Sequence, residues 1–250
     1  MEEKNIRCSV AVLTYNSERY LPEQLDSILS NISEEDEVVI SDDGSTDSTL
    51  EIIQGYMTRD QRIRLVHNAQ SHGVNGNYAN AYANCRGEII FHSDDDNVWL
   101  PGKVETVLRY YAENPKAFMV MHDAIIVDAD LKQLHPSFYQ WRNSKPGVLH
   151  NVIRLSYGGS MISFRRELLK RLLPMPKEMP VFFDAWVGFM ADKHFESLFI
   201  PEKLSLWRRH ADTASGGTFS TNPAPTNKKK VKLIGRVASR VKLLWFVMRH

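Results

Sequence analysis

The chain has 250 residues, 43% of them apolar and 24% charged, a globular balance that excludes disordered and fibrous classes and allows one or two domains. Two cysteines, Cys8 and Cys85, make no disulfide framework or zinc ribbon and suit a reducing cytoplasm. The net charge of +1 hides an asymmetry: residues 227–250 hold eight basic and no acidic residues, leaving 23 basic against 30 acidic, or −7, on the rest.

The N-terminus, MEEKNIRCSV, is acidic where a signal peptide is basic, and no 18-residue apolar run follows, so a soluble chain is expected. Apolar runs at Ser9–Leu13, Val38–Ser41, Arg64–His67 and Ile89–His92 predict strands. Between them, Leu21, Leu25, Ile28 and Leu29, then Leu50, Ile52, Ile53 and Tyr56, then Tyr78, Ala81 and Tyr82 fall at helical spacing. Strand and helix alternating this way predict βαβ units, a mostly parallel sheet flanked by helices. Pro101 is placed in the first turn of a helix with Val104, Val107, Leu108 and Tyr111 inward, and Ala117–Met121 reads as a further strand. Residues 129–150 lack periodicity and read as a long loop. Helical signals return over Arg165–Leu173 and Asp184–Lys193. Residues 211–227, small, polar and proline-bearing, read as a linker. The tail, 228–250, sets Ile234, Val237, Val241, Leu244, Trp245 and Met248 at helical spacing behind a basic start. That pattern suits either an interfacial helix on anionic lipid or a helix packed on its own domain or a partner. The acidic body argues against a nucleic-acid partner.

Parallel sheets bind ligands beyond the carboxyl ends of their strands. The polar clusters lie there: Thr14-Tyr15-Asn16, Asp42-Asp43-Gly44-Ser45-Thr46-Asp47 and Ser93-Asp94-Asp95-Asp96. A turn or helix cap explains any one of them equally well, with Ser45 or Asp47 capping the next helix. Together, their acidic and amide groups would repel one another without a ligand or cation. Carboxylates this close at a strand end can share a hard divalent cation that also holds phosphate oxygens; an exposed acidic loop is the alternative.

These residues resemble the family 2 glycosyltransferases of the GT-A fold over roughly residues 8–215, in Cys8–Ser17, Val38–Asp47, Asn77–Glu88 and Phe91–Lys103. The nearest pattern is that of bacterial rhamnosyl- and polysaccharide-transferase-like members, Ser-Asp-Gln-Asp-Asp-x-Trp-x-x-Pro-x-Lys. This chain departs from it at Asp95, where the subgroup has Gln, and at Asn97, where it has Asp. The resemblance implies a single domain over 1–210, with a nucleotide-sugar half, 1–128, and an acceptor half, 129–210, followed by the linker and tail. It places Thr14, Tyr15, Asn16, Glu18, Asp42, Asp43 and Asn77 at the nucleotide, with Ser93, Asp94 and Asp95 alongside. Asp96 and His210 would ligate Mn²⁺ or Mg²⁺, and Arg208 would pair with diphosphate. Gly159, Ser160 and Trp186 would lie on the acceptor side. Asp184, opening a helix as the family's general base does, would deprotonate the acceptor hydroxyl, though a plain N-cap is the other reading.

The activity this resemblance implies is an inverting, metal-dependent transfer from a UDP- or dTDP-sugar to a hydroxyl acceptor. That acceptor is expected to be a lipid-linked saccharide of cell-surface polysaccharide synthesis, met by a cytoplasmic enzyme peripheral on the inner face of the plasma membrane. A sugar-phosphate nucleotidyltransferase would need a glycine-rich loop after the first strand, where Thr14–Glu18 has no glycine. An inactive nucleotide-sugar-binding relative should have lost Asp96, Asp184 or His210, and all three are present.

Overall fold

Strands without polar alternation must be covered on both faces. In the computed structural model, β1 (Cys8–Thr14), β2 (Glu37–Asp42), β3 (Ile63–His67) and β4 (Ile89–Ser93) pair in parallel in the order β3-β2-β1-β4. β2 and β4 are buried throughout and β1 everywhere but Leu13. The structure describes residues 6–68, 72–176, 179–210 and 233–250, the side chains of 233–238 excepted.

Alternate β1 and β2 side chains feed two cores. Cys8, Val10, Val12, Val38 and Ile40 face α1 (Leu21–Leu29), α2 (Thr49–Arg59) and α4 (Lys103–Glu113). Ala11 and Val39 face the opposite way, toward α3 (Val74–Ala83) and the second half of the chain. α1 buries Leu21, Gln24, Leu25 and Ile28, one helical stripe. Pro101 is not in the first turn of α4. It lies in the turn before it, and left-handed Gly102 (φ 81°) starts the helix at Lys103. Gly87 passes so close to β1 that a Cβ there would lie 2.4 Å from the Cys8 carbonyl carbon.

Beyond β4 the sheet turns mixed, continuing β8-β6-β9-β5. β5 (Val98–Trp99) and β8 (Ile162–Arg165) are short. β6 (Ala117–Val127) runs past the expected Met121 and lies parallel to β9 (Glu196–Arg208), itself unforeseen. The 129–150 stretch is structured rather than a loop: it holds β7 (Gln133–His135), α5 (Phe138–Arg142) and the start of α6 (Val148–Ile153). Buried Asp123 organises it, accepting from Ser137 Oγ (2.6 Å) and Tyr139 N (2.9 Å). The helix expected over Arg165–Leu173 shrinks to one 3₁₀ turn and α7 (Leu169–Leu172), because Arg165 still belongs to β8. α8 (Phe183–His194) forms as expected.

The expected linker, 211–227, lies outside the described residues. α9 (Leu233–Arg249) packs on the domain through Leu243 and Val247, while Lys193 Nζ donates to the carbonyls of Val247 (3.2 Å) and Met248 (3.0 Å). Val241, Trp245 and Met248, part of the expected stripe, face outward and are 56–60% exposed. Among the described residues, no helix is long and apolar enough to cross a membrane.

A polar clasp closes the amino end of the central strands. Asp36 accepts from Arg7 Nε (3.0 Å) and Nη2 (2.7 Å), Cys8 N (3.2 Å), Ser33 N (2.7 Å) and Ser33 Oγ (2.9 Å). Burial alone would raise its pKa, but Arg7 and Ser33 outweigh burial and hold it at about 2. The folded value is therefore depressed, so the stabilisation is present above the unfolded pKa and lost as pH falls from about 4 to about 2, a contribution of ~2 kcal/mol. Urea unfolding of Asp36→Asn should show a deficit of that size at pH 6 that shrinks as pH falls and closes only below the folded pKa of about 2. A deficit independent of pH would mean that the charge of Asp36 contributes nothing.

Candidate active site

The three polar clusters do meet at the carboxyl edge of β1, β2 and β4. Much of their polarity, however, is turned on one another. Asp42 is filled by four donors: Thr14 Oγ1 (2.9 Å), Gly44 N and Ser45 N (2.9 Å each), and Ser45 Oγ (2.5 Å). Glu18 caps α2, accepting from Ser48 N (3.0 Å) while its own N–H donates to Asp47 (3.1 Å). Asn77, expected to face the donor, is 4% exposed; it donates to the Thr14 and Ser41 carbonyls and accepts from Ser41 Oγ. Asn77 therefore staples β1 to β2 from beneath, and Glu18 and Asp42 shape the loops above. These three expected nucleotide contacts thus have a supporting role within the fold. Tyr15, 60% exposed, and Asn16 remain at the rim. Asn16 takes a left-handed φ of 51°, which asparagine tolerates, and accepts from Thr46 N (2.8 Å). Asp43 accepts from Asn68 Nδ2 (2.9 Å) and Gly73 N (2.7 Å), fixing the start of α3.

The acidic run divides by environment. Ser93 is buried, accepting from Gln24 Nε2 (2.7 Å) and donating to the Asp94 carbonyl (3.0 Å). Burial opposes ionisation of Asp94, but His92, Ser160 and Tyr78 outweigh it and hold its pKa below the ordinary value. Asp95, which accepts from Ser17 Oγ, is pushed up to about 7 by burial and by Asp96 and Asp94. Asp96 is also raised, by burial and Asp94, against the pull of His210, whose Nε2 lies 3.1 Å from Asp96 Oδ2. Crowded, half-buried carboxylates that resist ionisation are groups a cation would relieve.

Among the described residues no group of three or more His, Cys, Asp or Glu side chains is arranged to hold an ion. The Asp96–His210 pair instead offers two protein ligands, which fits a cation completed by diphosphate oxygens and water. Arg208 does not have the expected free guanidinium. It is 3% exposed and donates to the carbonyls of Asp96 (2.7 Å) and Ala129 (2.5 Å) and to Glu23, with its carbon 4.5 Å from the Tyr20 ring centroid. Arg208 holds the backbone of Asp96 in place rather than facing a diphosphate.

The departures from the family pattern become intelligible here. One carboxylate has moved from position 97 to 95, so the local acid count is unchanged. Buried Asn97 donates to Ser160 Oγ (2.8 Å) and accepts from Arg208 N (2.9 Å), a double role that an ionised carboxylate could not fill. Ser160 also donates to Asp94, and its carbonyl accepts from the fully buried Lys103 Nζ (3.0 Å). Ser160, expected on the acceptor side, therefore ties the 158–161 turn to the acidic run.

Asp184 sits in the first turn of α8 and accepts from Ala185 N (2.7 Å). Burial raises its pKa, with the like charge of Asp94 adding to it and Ala185 N and His92 opposing. Gly159 fits between two site groups: a Cβ there would lie 3.1 Å from the His92 ring and 3.2 Å from Asp184 Cβ. His92 is a site residue that sequence reasoning missed; a polar residue closing the otherwise apolar Ile89–His92 run was its signal. It bridges Asp94 Oδ1 (Nε2, 3.0 Å) and the Tyr82 hydroxyl (Nδ1, 2.9 Å). Trp186, expected beside the acceptor, is 1% exposed and packs against Phe246 of α9 instead. Asp192, the nearest substitute base along α8, accepts from Gly147 N and Tyr157 OH at 2.5 Å each and supports the fold.

With this geometry established, comparison with known proteins places the chain. The family model for glycosyl transferase family 2 matches residues 9–173, and the chain belongs to that family. An uncharacterised glycosyltransferase of Nostoc is 24% identical over 82% of this chain and 65% of its own length. A Campylobacter jejuni GalNAc(5)-diNAcBac-PP-undecaprenol β-1,3-glucosyltransferase is 32% identical over 41% of this chain and 34% of its own. The fold resembles Staphylococcus aureus TarS 1–349 in complex with UDP-GlcNAc (TM-score 0.66, 20% identity, 86% of this chain, 62% of that one). It also resembles a Pyrobaculum calidifontis mannosyltransferase in complex with GDP-Man and Mn²⁺ (TM-score 0.60, 22% identity, 81% and 56%). The chain spans 59–65% of the length of the first curated relatives it matches.

Proposed function

We propose that this chain is an inverting glycosyltransferase that moves a sugar from a UDP- or dTDP-sugar to an acceptor hydroxyl. The observation that carries the reading is the convergence, around Gly159 and His92, of a base-like carboxylate, Asp184, with the Asp94–Asp96 run that ends at the Asp96–His210 pair. A carboxylate raised by burial holds a proton more readily than an ordinary one, which suits removal of the acceptor proton. As that proton passes to Asp184, the acceptor oxygen bonds to the anomeric carbon and the bond to the nucleoside diphosphate breaks on the opposite face. One displacement inverts the configuration. Mn²⁺ or Mg²⁺ held by Asp96 and His210 would neutralise the charge developing on the diphosphate. Arg208 and Ser160 keep the acidic run rigid while this happens.

A lipid-linked saccharide as acceptor, for cell-surface polysaccharide, is supported by the undecaprenol-linked substrate for which the Campylobacter relative is named and by the basic tail. Peripheral contact of 228–250 with the inner face of the plasma membrane belongs to the same reading. The test is a thermal-shift panel of nucleotides and nucleotide sugars. UDP or dTDP should raise Tm more with Mn²⁺ than with EDTA, since a ligand of the native state stabilises it by mass action. Equal shifts under both conditions would remove the cation from the scheme.

A further inference from the structure

Large apolar side chains left in water need an explanation when they gather at a cleft. One of about 940 Å³ opens between α9 and the 179–183 segment, at the upper end of the ~300–1,000 Å³ common for small-molecule sites. Met179, Val181 and Phe182 form one wall, and Leu243, Trp245 and Phe246 of α9 the other. Phe182 is 51% and Trp245 60% exposed, so the cleft is open and apolar. Its lining includes two cations, Arg240 and Lys242, and no carboxylate. Its lining also includes Asn75, whose Oδ1 accepts from Phe183 N (3.0 Å), one residue before Asp184.

An apolar trough with cations on α9, and with a lining residue bonded to the residue before the proposed base, is complementary to an amphiphile: a long hydrocarbon chain, an anionic phosphate, then a hydroxyl-bearing head. We propose that this cleft seats the hydrocarbon chain of a phosphate- or diphosphate-linked acceptor, with Arg240 and Lys242 at the phosphate. The inference rests on Asp184 being the base, which fixes the end at which the reacting hydroxyl must lie. It gives the tail a second role: α9 packs through Leu243 and Val247 and presents Trp245 to the acceptor chain.

The test uses the full chain with farnesyl phosphate as probe, below its micellar concentration, followed by calorimetry. Wild type should bind it, and Trp245→Glu and the pair Arg240→Glu/Lys242→Glu should each bind at least tenfold more weakly. Trp245, Arg240 and Lys242 are exposed, so folding should survive, as circular dichroism would show. The Mn²⁺-dependent UDP shift, measured on the same samples, should be unchanged, so failure of the donor reading and failure of this one are separately visible. Farnesol should bind more weakly than farnesyl phosphate, and inorganic phosphate should not compete. Four results would overturn the proposal. These are no binding by wild type; full competition by inorganic phosphate; loss of binding to phosphatidylglycerol vesicles in the variants with farnesyl phosphate binding intact; and probe binding that appears only when 211–227 is replaced by a Gly/Ser tract. The third would make the face a membrane contact, and the last would make the chain's own segment the occupant.

Discussion

Replacing Asp184 by asparagine is expected to lower turnover by about 10²–10⁴, the usual contribution of a positioned general base, with donor affinity unchanged. The amide keeps the size of the side chain and its ability to accept from Ala185 N, so α8 should start as before. What it loses is the capacity to take a proton. The carboxylate's raised pKa comes first from burial and then from Asp94, so the variant also removes one of several crowded acids, and its stability should not fall. The proposed nucleotide contacts are on the β1, β2 and β4 edge, away from this change, so the Mn²⁺-dependent UDP shift should persist. Near-normal turnover would move the base elsewhere. Asp192, engaged by Gly147 and Tyr157, is poorly placed for that role, which leaves Glu196 at the start of β9 to examine.

Asp96→Ala should separate stability from function in the opposite sense from most substitutions. Asp96 is held above its ordinary pKa by burial and by Asp94, so its ionised form is disfavoured in the folded protein relative to the unfolded one. Removing it should leave the Tm of the ligand-free protein equal or higher. The Mn²⁺-dependent part of the UDP shift should vanish, out of a ligand stabilisation of about 2.7 kcal/mol at a hundredfold excess over Kd. On the proposed reading, a site that resists its own charge until a cation arrives would trade stability for function. A variant that melts lower but keeps the full Mn²⁺ increment would show that Asp96 is structural and not a ligand.

The parallel half of the fold was legible because its signals are local. Uninterrupted apolar strands and helical stripes such as Leu21-Leu25-Ile28 need no knowledge of what they pack against. β5, β8 and β9 were not, since two are only two and four residues long and β9 is interrupted by Pro201-Glu202-Lys203. These strands are specified by partners far along the chain, as Val98 pairs with Leu206. The site divides the same way. The Asp94–Asp96 run stood out by residue type and position, whereas Asp184 and His210 were singled out only by the resemblance to the family. Which way a side chain turns could not be read from either: Arg208 is claimed by Glu23, 185 positions away, and Trp186 by Phe246 of α9. Asn77, on α3, was expected to face the donor on the strength of the family resemblance, yet both halves of its amide find backbone or hydroxyl partners on β1 and β2.

The most direct measurement follows the anomeric carbon itself. With the nucleotide sugar that gives the largest Mn²⁺-dependent shift, and water standing in for the acceptor, proton NMR can record the first-formed free sugar before it mutarotates. A single displacement assisted by Asp184 predicts that this sugar has the configuration opposite to the donor's, and that its release slows by about 10²–10⁴ in Asp184→Asn. A first-formed sugar with the donor's own configuration would contradict the account.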